Sequence, residues 1–317
     1  MRAVFLDFGT VSNGDLDTGA LERALPGIVL HERTVAAEVR QRIVGFGVVL
    51  TNKSVLDRAA IAGNPGLKLI ALTATGTDNV DLAAARERGV AVCNLRDYCT
   101  PSVVQHVFAM LLALTHRIAD YQALVHAGRW QEAGQFSVFD YPFRELAGRR
   151  LGIVGFGTLG RAVAQAAAAF GMKVSVANRP GGEPAAGRQH LDEMLPDLDV
   201  LSLHCPLTDA TRGLIGRERL ARVQRDAVLI NTARGALVDT AALADALRRG
   251  ALGGAGIDVL ECEPPPADHP LLDPSIPNLI VTPHVAWAAR ESRQRCLDEL
   301  ALNVESFQAG GRRNRVI

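Results

Sequence analysis

Ten short apolar runs, separated by longer stretches of helical spacing, constrain this chain more than any other feature. Four lie ahead of residue 98, at residues 3–7, 47–51, 67–73 and 90–94, and each ends in a turn or polar residue. Six follow residue 150, at residues 151–155, 173–177, 200–204, 227–231, 254–259 and 279–282. Such alternation is the pattern of parallel sheets covered by helices, so an α/β fold of doubly wound parallel sheets is expected. At roughly 150 residues per domain, 317 residues suggest about two of them. Helical spacing at residues 19–25, 54–61 and 79–88 supplies the crossovers of the first sheet.

A long apolar helix is predicted over residues 102–117, with Thr100 or Ser102 near its cap and Pro101 in its first turn. The segment 121–145 reads as irregular and aromatic, carrying Trp130, Phe136, Phe139, Tyr141 and Phe143. It fits a subunit contact, or equally packing over its own domain. The last helical pattern, residues 288–308, follows completion of the second sheet and is expected to return to the N-terminal unit.

Composition removes several functions. Lys plus Arg and Asp plus Glu each number 34, so there is no net field to draw in nucleic acid. The longest charge-free apolar stretches, such as residues 108–114, fall far short of the roughly 18 to 20 residues that span a bilayer. Asp7 follows the apolar start too soon for a signal peptide. The five cysteines, Cys93, Cys99, Cys205, Cys262 and Cys296, contain no CxxC pair, which indicates neither a disulfide framework nor a metal cluster. A cytoplasmic protein is expected.

Gly155-Phe156-Gly157-Thr158-Leu159-Gly160 is a GxGxxG directly after an apolar run and before an alanine-rich helix. In that context the glycines permit a tight turn and close approach to a pyrophosphate, and the helix start offers N–H donors. Six strands with such a turn make a dinucleotide-binding (Rossmann) sheet. An NAD-selective site carries Asp or Glu about 20 residues onward to hold the ribose hydroxyls. Here the chain reads Val176-Ala177-Asn178-Arg179. Asn178 would not repel a 2′-phosphate and Arg179 can pair with one, so the cofactor reading is NAD(P)H leaning to NADP(H).

Three polar groups stand just past candidate strand ends, where open α/β sheets bind ligands: Arg234, Glu263 and His284. Hydride transfer to a 2-keto acid needs a cation for carboxylate and keto oxygen, and an acid for the developing alkoxide. Arginine supplies the fork and histidine the proton, while a neighbouring carboxylate favours the imidazolium form. Arg234 is thus assigned to substrate binding and polarisation, His284 to acid and base work, and Glu263 to His284.

With these residues in place the chain resembles the D-isomer-specific 2-hydroxyacid dehydrogenases. The resemblance rests on Thr73-Ala74-Thr75-Gly76-Thr77-Asp78-Asn79-Val80-Asp81, the glycine turn, His204-Cys205-Pro206-Leu207-Thr208, Ile230-Asn231-Thr232-Ala233-Arg234-Gly235, residues 258–264 and Thr282-Pro283-His284, in order along nearly the whole chain. Leu50-Thr51-Asn52-Lys53, Ala74-Thr75-Gly76-Thr77 and Val104-Gln105-His106-Val107-Phe108 are most similar to hydroxypyruvate reductases, also called glycerate dehydrogenases.

The resemblance implies a flavodoxin-like substrate domain, residues 1–98 plus 288–317, and a Rossmann cofactor domain, residues 99–287, with a cleft between them. It implies that backbone at Thr75 and Gly76 holds the substrate carboxylate, with Lys53 and Trp287 shaping substrate choice. Asp258 would take the nicotinamide carboxamide, aided by backbone at Thr232 and Ala233. His204, Cys205 and Pro206 would line the adenosine side, and Val104 would pack near the nicotinamide. Asp78 and Asn79 are expected to cap the helix that follows. A homodimer is implied, which would give the aromatic segment a partner. Departures are Gln105 where many members carry Glu, Trp287 where others have Gly, and Asn178 in place of the acid. No regulatory extension follows Ile317, which favours an unphosphorylated substrate.

The expected activity is reduction of hydroxypyruvate or glyoxylate to the D-2-hydroxy acid. A dinucleotide-sensing, corepressor-like interaction protein and a formate- or phosphonate-type dehydrogenase remain the alternatives.

Overall fold

The computed structural model describes residues Met1–Ile317. The chain divides into two compact units, Met1–Cys99 with Trp287–Ile317, and Thr100–Ala286. The first contributes β1 (Ala3–Phe5), α1 (Gly19–Ala24), β2 (Val29–Leu30), α2 (Val39–Ile43), β3 (Val48–Thr51), α3 (Arg58–Ala62), β4 (Leu69–Leu72), α4 (Leu82–Glu87) and β5 (Ala91–Cys93). The second contributes α5 (Thr100–Thr115), α6 (Ile118–His126), α7 (Arg129–Glu132), β6 (Arg150–Val154), α8 (Thr158–Ala169), β7 (Lys173–Val176), α9 (Leu191–Met194), β8 (Val200–Leu203), α10 (Arg217–Leu220), β9 (Val228–Asn231), α11 (Thr240–Arg248), β10 (Gly254–Ile257) and β11 (Leu279–Val281). The chain then re-enters the first unit as α12 (Arg290–Gln308).

In the first unit five parallel strands run in the order β2-β1-β3-β4-β5. Alternate residues of a strand face opposite sides of a sheet, and both sides here are apolar, which is why the runs carry no polar alternation. Ala3, Phe5, Val48, Leu50, Leu69 and Ala71 pack on one face with Leu297, Leu300 and Val304 of α12. Val4, Val49, Ile70 and Leu72 pack on the other with Ile43, Ile61 and Ala84. The predicted return of the last helix is therefore found, against α1 and β4. The two-residue strand β2 escapes sequence reading because Val29 and Leu30 lie exposed at the sheet edge.

Asp57 and Asp81 accept from the amides of Ala60 and Ala84 and so cap α3 and α4, each bond worth about 1 kcal/mol. Asp81, not Asp78 or Asn79, is the cap: Asn79 instead turns back and donates to the carbonyl of Ser54 at 3.0 Å.

In the second unit six parallel strands run in the order β11-β10-β9-β8-β6-β7, around one core. Helix α5 buries Val103, Val107, Phe108, Met110, Leu111 and Leu114, a stripe at helical spacing. It ends two residues before the predicted limit because Arg117 adopts φ 53°, a left-handed conformation that no right-handed helix continues through. The segment expected to be irregular from residue 121 is helical at its start. Helix α6 runs to His126 and α7 follows Gly128, whose φ of 76° turns the chain between them. Only Leu124 of α6 is buried, too little apolar periodicity to be read from sequence. No single helix is long and apolar enough to cross a membrane.

Candidate active site

The sheet of the second unit changes direction of winding between β6 and β8, and the loops after these strands flank the crevice where such sheets bind ligands. Gly155 leaves β6 with φ 93°, and a Cβ there would lie 2.5 Å from the backbone of His204 and Cys205. A Cβ on Gly160 would lie 2.1 Å from the carbonyl oxygen of Gly155. These two positions admit only glycine because backbone meets backbone. Gly157 differs, since a Cβ there meets nothing within 4 Å. It opens α8 with no side chain capping the first turn, so the amides of Thr158 and Leu159 begin the helix uncovered by a cap.

Two polar atoms near this edge are buried without a partner, Nδ1 of His204 and Oγ1 of Thr232. Buried polar atoms are rarely left so, and a ligand with hydrogen-bonding groups would satisfy them. His204 Nε2 lies 2.8 Å from Ser202 Oγ, and burial pushes the imidazole down to about 4, so it is neutral at physiological pH. Cys205 departs from the expected cofactor contact. Its side chain is 4% exposed within the core, with the thiol pushed up to about 11 by burial, which leaves only its backbone beside the glycine turn. Together the glycine cradle, the uncapped helix start and the orphaned atoms fit a dinucleotide.

Past β7, Asn178 Oδ1 accepts from Ala185 N at 3.1 Å and closes the following loop, while Arg179 is exposed. Val104 is half-buried on α5 and Pro206 is exposed after β8.

The three residues read as catalytic follow β9, β10 and β11, adjacent strands of one sheet. His284 Nδ1 lies 2.6 Å from Glu263 Oε2, and Oε1 of the same carboxylate accepts from Leu260 N at 2.9 Å. Sequence reasoning paired these two residues and the structure brings them together. His284 adopts φ 54°, and its amide donates to the carbonyl of Asp258 at 2.8 Å. Arg234 stands after β9, its Nη1 2.8 Å from the carbonyl of Ala233. Asn231, read only as a strand end, shapes this loop: it accepts from Ala233 N at 3.0 Å and donates to the Arg234 carbonyl at 2.9 Å.

Asp258, expected on the nicotinamide carboxamide, directly follows β10. Its side chain is 1% exposed and accepts from Thr282 Oγ1 at 2.6 Å, Val285 N at 2.9 Å and Ala286 N at 2.9 Å. All three donors belong to the segment that carries His284.

In the first unit Lys53 is exposed on a loop whose amides converge on Asp7. The buried Asp7 carboxylate accepts from Asn52, Lys53 and Ser54 N at 2.7–2.9 Å. Thr75 is exposed and its carbonyl accepts from Asn94 Nδ2 at 2.7 Å, which fixes the backbone leading into Gly76. Asp7 and Asn94 were missed by sequence reading, although both stand at strand ends of the sheet that presents these loops. Trp287 packs edge-on against Tyr98 within this unit, with ring centroids 6.3 Å apart.

Comparison with known proteins decides the family. The model of the NAD-binding domain of D-isomer-specific 2-hydroxyacid dehydrogenases matches residues 108–286. The chain belongs to this family. Over 279 residues, 88% of either chain, the dehydrogenase is 46% identical to the glycerate dehydrogenase of Methylorubrum extorquens. It is 36% identical over 318 residues, 98% of either chain, to the hydroxypyruvate reductase of Blautia hydrogenotrophica. A solved structure from Thermus thermophilus superposes with a TM-score of 0.88 at 36% identity, over 100% of both chains. The dehydrogenase is thus an enzyme of 2-hydroxy and 2-keto acids with a nicotinamide cofactor domain.

Proposed function

We propose that this dehydrogenase reduces hydroxypyruvate or glyoxylate to the D-2-hydroxy acid, using NAD(P)H with a preference for NADP(H). The observation that carries the reading is the pair His284–Glu263 at 2.6 Å on the same sheet edge as Arg234 and the glycine turn. A bound nicotinamide supplies the hydride. The chain's own residues do the rest: Arg234 binds the carboxylate and draws charge onto the keto oxygen, and His284 gives that oxygen its proton. Glu263 holds the imidazole through Nδ1, which leaves Nε2 to face substrate. Thr158 and Leu159 would offer amides to a pyrophosphate, and the backbone at Thr232 and Ala233 would hold the nicotinamide side. The identities to glycerate dehydrogenase and hydroxypyruvate reductase support this choice of substrate. A sensing protein without turnover would not need a carboxylate-paired histidine.

The cofactor preference rests on Asn178 and Arg179, which leave no acid to repel a 2′-phosphate and place a guanidinium at the loop. Rates with NADPH and NADH, against glyoxylate, hydroxypyruvate, pyruvate and phosphohydroxypyruvate, test both choices. The expected result is a higher kcat/KM with NADPH and with the two smaller hydroxy or aldehyde acids. An NADH advantage of about tenfold or more, which is about 1.4 kcal/mol, would overturn the preference.

We also infer a homodimer. Tyr141 and Phe143 of the aromatic segment pack at home, on Tyr121 and His116. Phe136 and Phe139 stand 92% and 80% exposed, and such rings favour a subunit contact. Light scattering is expected to give twice the 33.8 kDa chain mass, and Phe136→Asp with Phe139→Asp to give monomer. A wild-type monomer at micromolar concentration contradicts this.

A further inference from the structure

His106 lies on α5 in Val104-Gln105-His106-Val107-Phe108, and the proposed reaction gives it no role. Its Nε2 is 3.0 Å from Thr282 Oγ1 and 3.6 Å from Asp258 Oδ1, and Thr282 Oγ1 is 2.6 Å from that same carboxylate oxygen. An ionised carboxylate only accepts, so the single threonine proton goes to Asp258. Thr282 Oγ1 is then an acceptor toward α5, and His106 Nε2–H is the donor. The tautomer follows from the chain of bonds.

What this chain holds is the loop of the proton donor. Asp258, 1% exposed, is a buried carboxylate whose oxygens must be met by hydrogen bonds. It gathers Thr282 Oγ1 and the amides of Val285 and Ala286, residues on both sides of His284. His284 itself sits at φ 54°, a left-handed conformation costing a non-glycine residue about 1 kcal/mol or more unless its surroundings fix it. Helix α5 grips the loop at two points four residues apart and so on one face: His106 at Thr282, and Ser102 Oγ at the Ala286 carbonyl, 2.7 Å away.

We propose that His106 is a positioning residue for the reduction. Through Thr282 and Asp258 it fixes the loop that presents His284. The proposal rests on His284 being the proton donor. His106 bonds to Thr282 and lies beside Asp258, so its loss is expected to act by releasing the loop.

Three variants test it, read by steady-state kinetics, by melting temperature and by amide hydrogen exchange of the peptide covering residues 282–287 without substrate. His106→Phe keeps the ring but removes the donor. It is expected to lower kcat about 10- to 100-fold, as for lost partners of orienting groups, with KM for the keto acid within about threefold. Exchange of the 282–287 peptide should rise about tenfold. His106→Gln returns an N–H toward Thr282 and should restore kcat to within about threefold, along with loop protection. Thr282→Val removes the middle of the chain and should reproduce the phenylalanine variant, including when that variant folds poorly. His106→Phe or Thr282→Val with kcat within twofold and a protected loop would overturn the proposal. So would a glutamine variant as impaired as phenylalanine at an unchanged melting temperature. The exchange arm needs no turnover, so loosened loop amides in an enzyme whose His284→Ala form stays active would indict the donor assignment and not the pinning.

Discussion

Replacing His284 by alanine is expected to lower kcat for keto-acid reduction by about two to four orders of magnitude, with cofactor binding retained. The reduced oxygen must gain a proton as it gains the hydride's charge, and of the three strand-end residues proposed as catalytic, His284 is the one suited to give it. Its carboxylate partner at 2.6 Å fixes which ring nitrogen faces outward. Glu263→Gln keeps a hydrogen-bonding group but not the charge, so its loss is expected to be smaller than that of the alanine variant. Stopped-flow measurement of nucleotide oxidation, with cofactor affinity followed by protein fluorescence quenching, separates binding from chemistry. A His284→Ala enzyme of near-full activity removes the proton donor from the account.

Arg234→Lys is expected to reduce kcat/KM for the keto acid about 100- to 1000-fold, the cost of losing one preorganised electrostatic donor at a reacting oxygen. Lysine keeps the charge but loses the planar fork that can grip carboxylate and keto oxygen together. The defect should appear in both kcat and the keto-acid KM if, as proposed, the same group binds and polarises. Asn231→Ala tests the support of that loop: the carbonyl of Arg234 and the amide of Ala233 lose their shared partner, and a milder loss of the same kind is expected. An Arg234→Lys enzyme within threefold of wild type would show that charge alone suffices and that the fork is unused.

The sheets were legible because parallel strands buried on both faces are written as unbroken apolar runs, as in Val48–Thr51 and Leu69–Leu72. The glycine turn and the Arg234, Glu263 and His284 positions were legible because each lies directly after such a run. The edge strand Val29–Leu30 was not, since two exposed residues leave no pattern. The start of the aromatic segment was misread because α6 buries one side chain only. Supports were the hardest to foresee. Asp7 meets the Lys53 loop across 46 residues and Asn94 meets Thr75 across 19, joined only by strand pairing. Asp258 was read only as a ligand group, and the two loop amides and the hydroxyl it gathers were not foreseen because they come from residues 24 to 28 positions onward.

In the proposed reaction this site passes hydride to the keto carbon while a histidine protonates its oxygen. Reduction of hydroxypyruvate with NADPH deuterated at the transferring position of the nicotinamide, followed by chiral separation and mass analysis of the product, tests it most directly. The expected product is D-glycerate carrying one deuterium at C2. An L-product, a product without the label, or nucleotide binding with no turnover would contradict it.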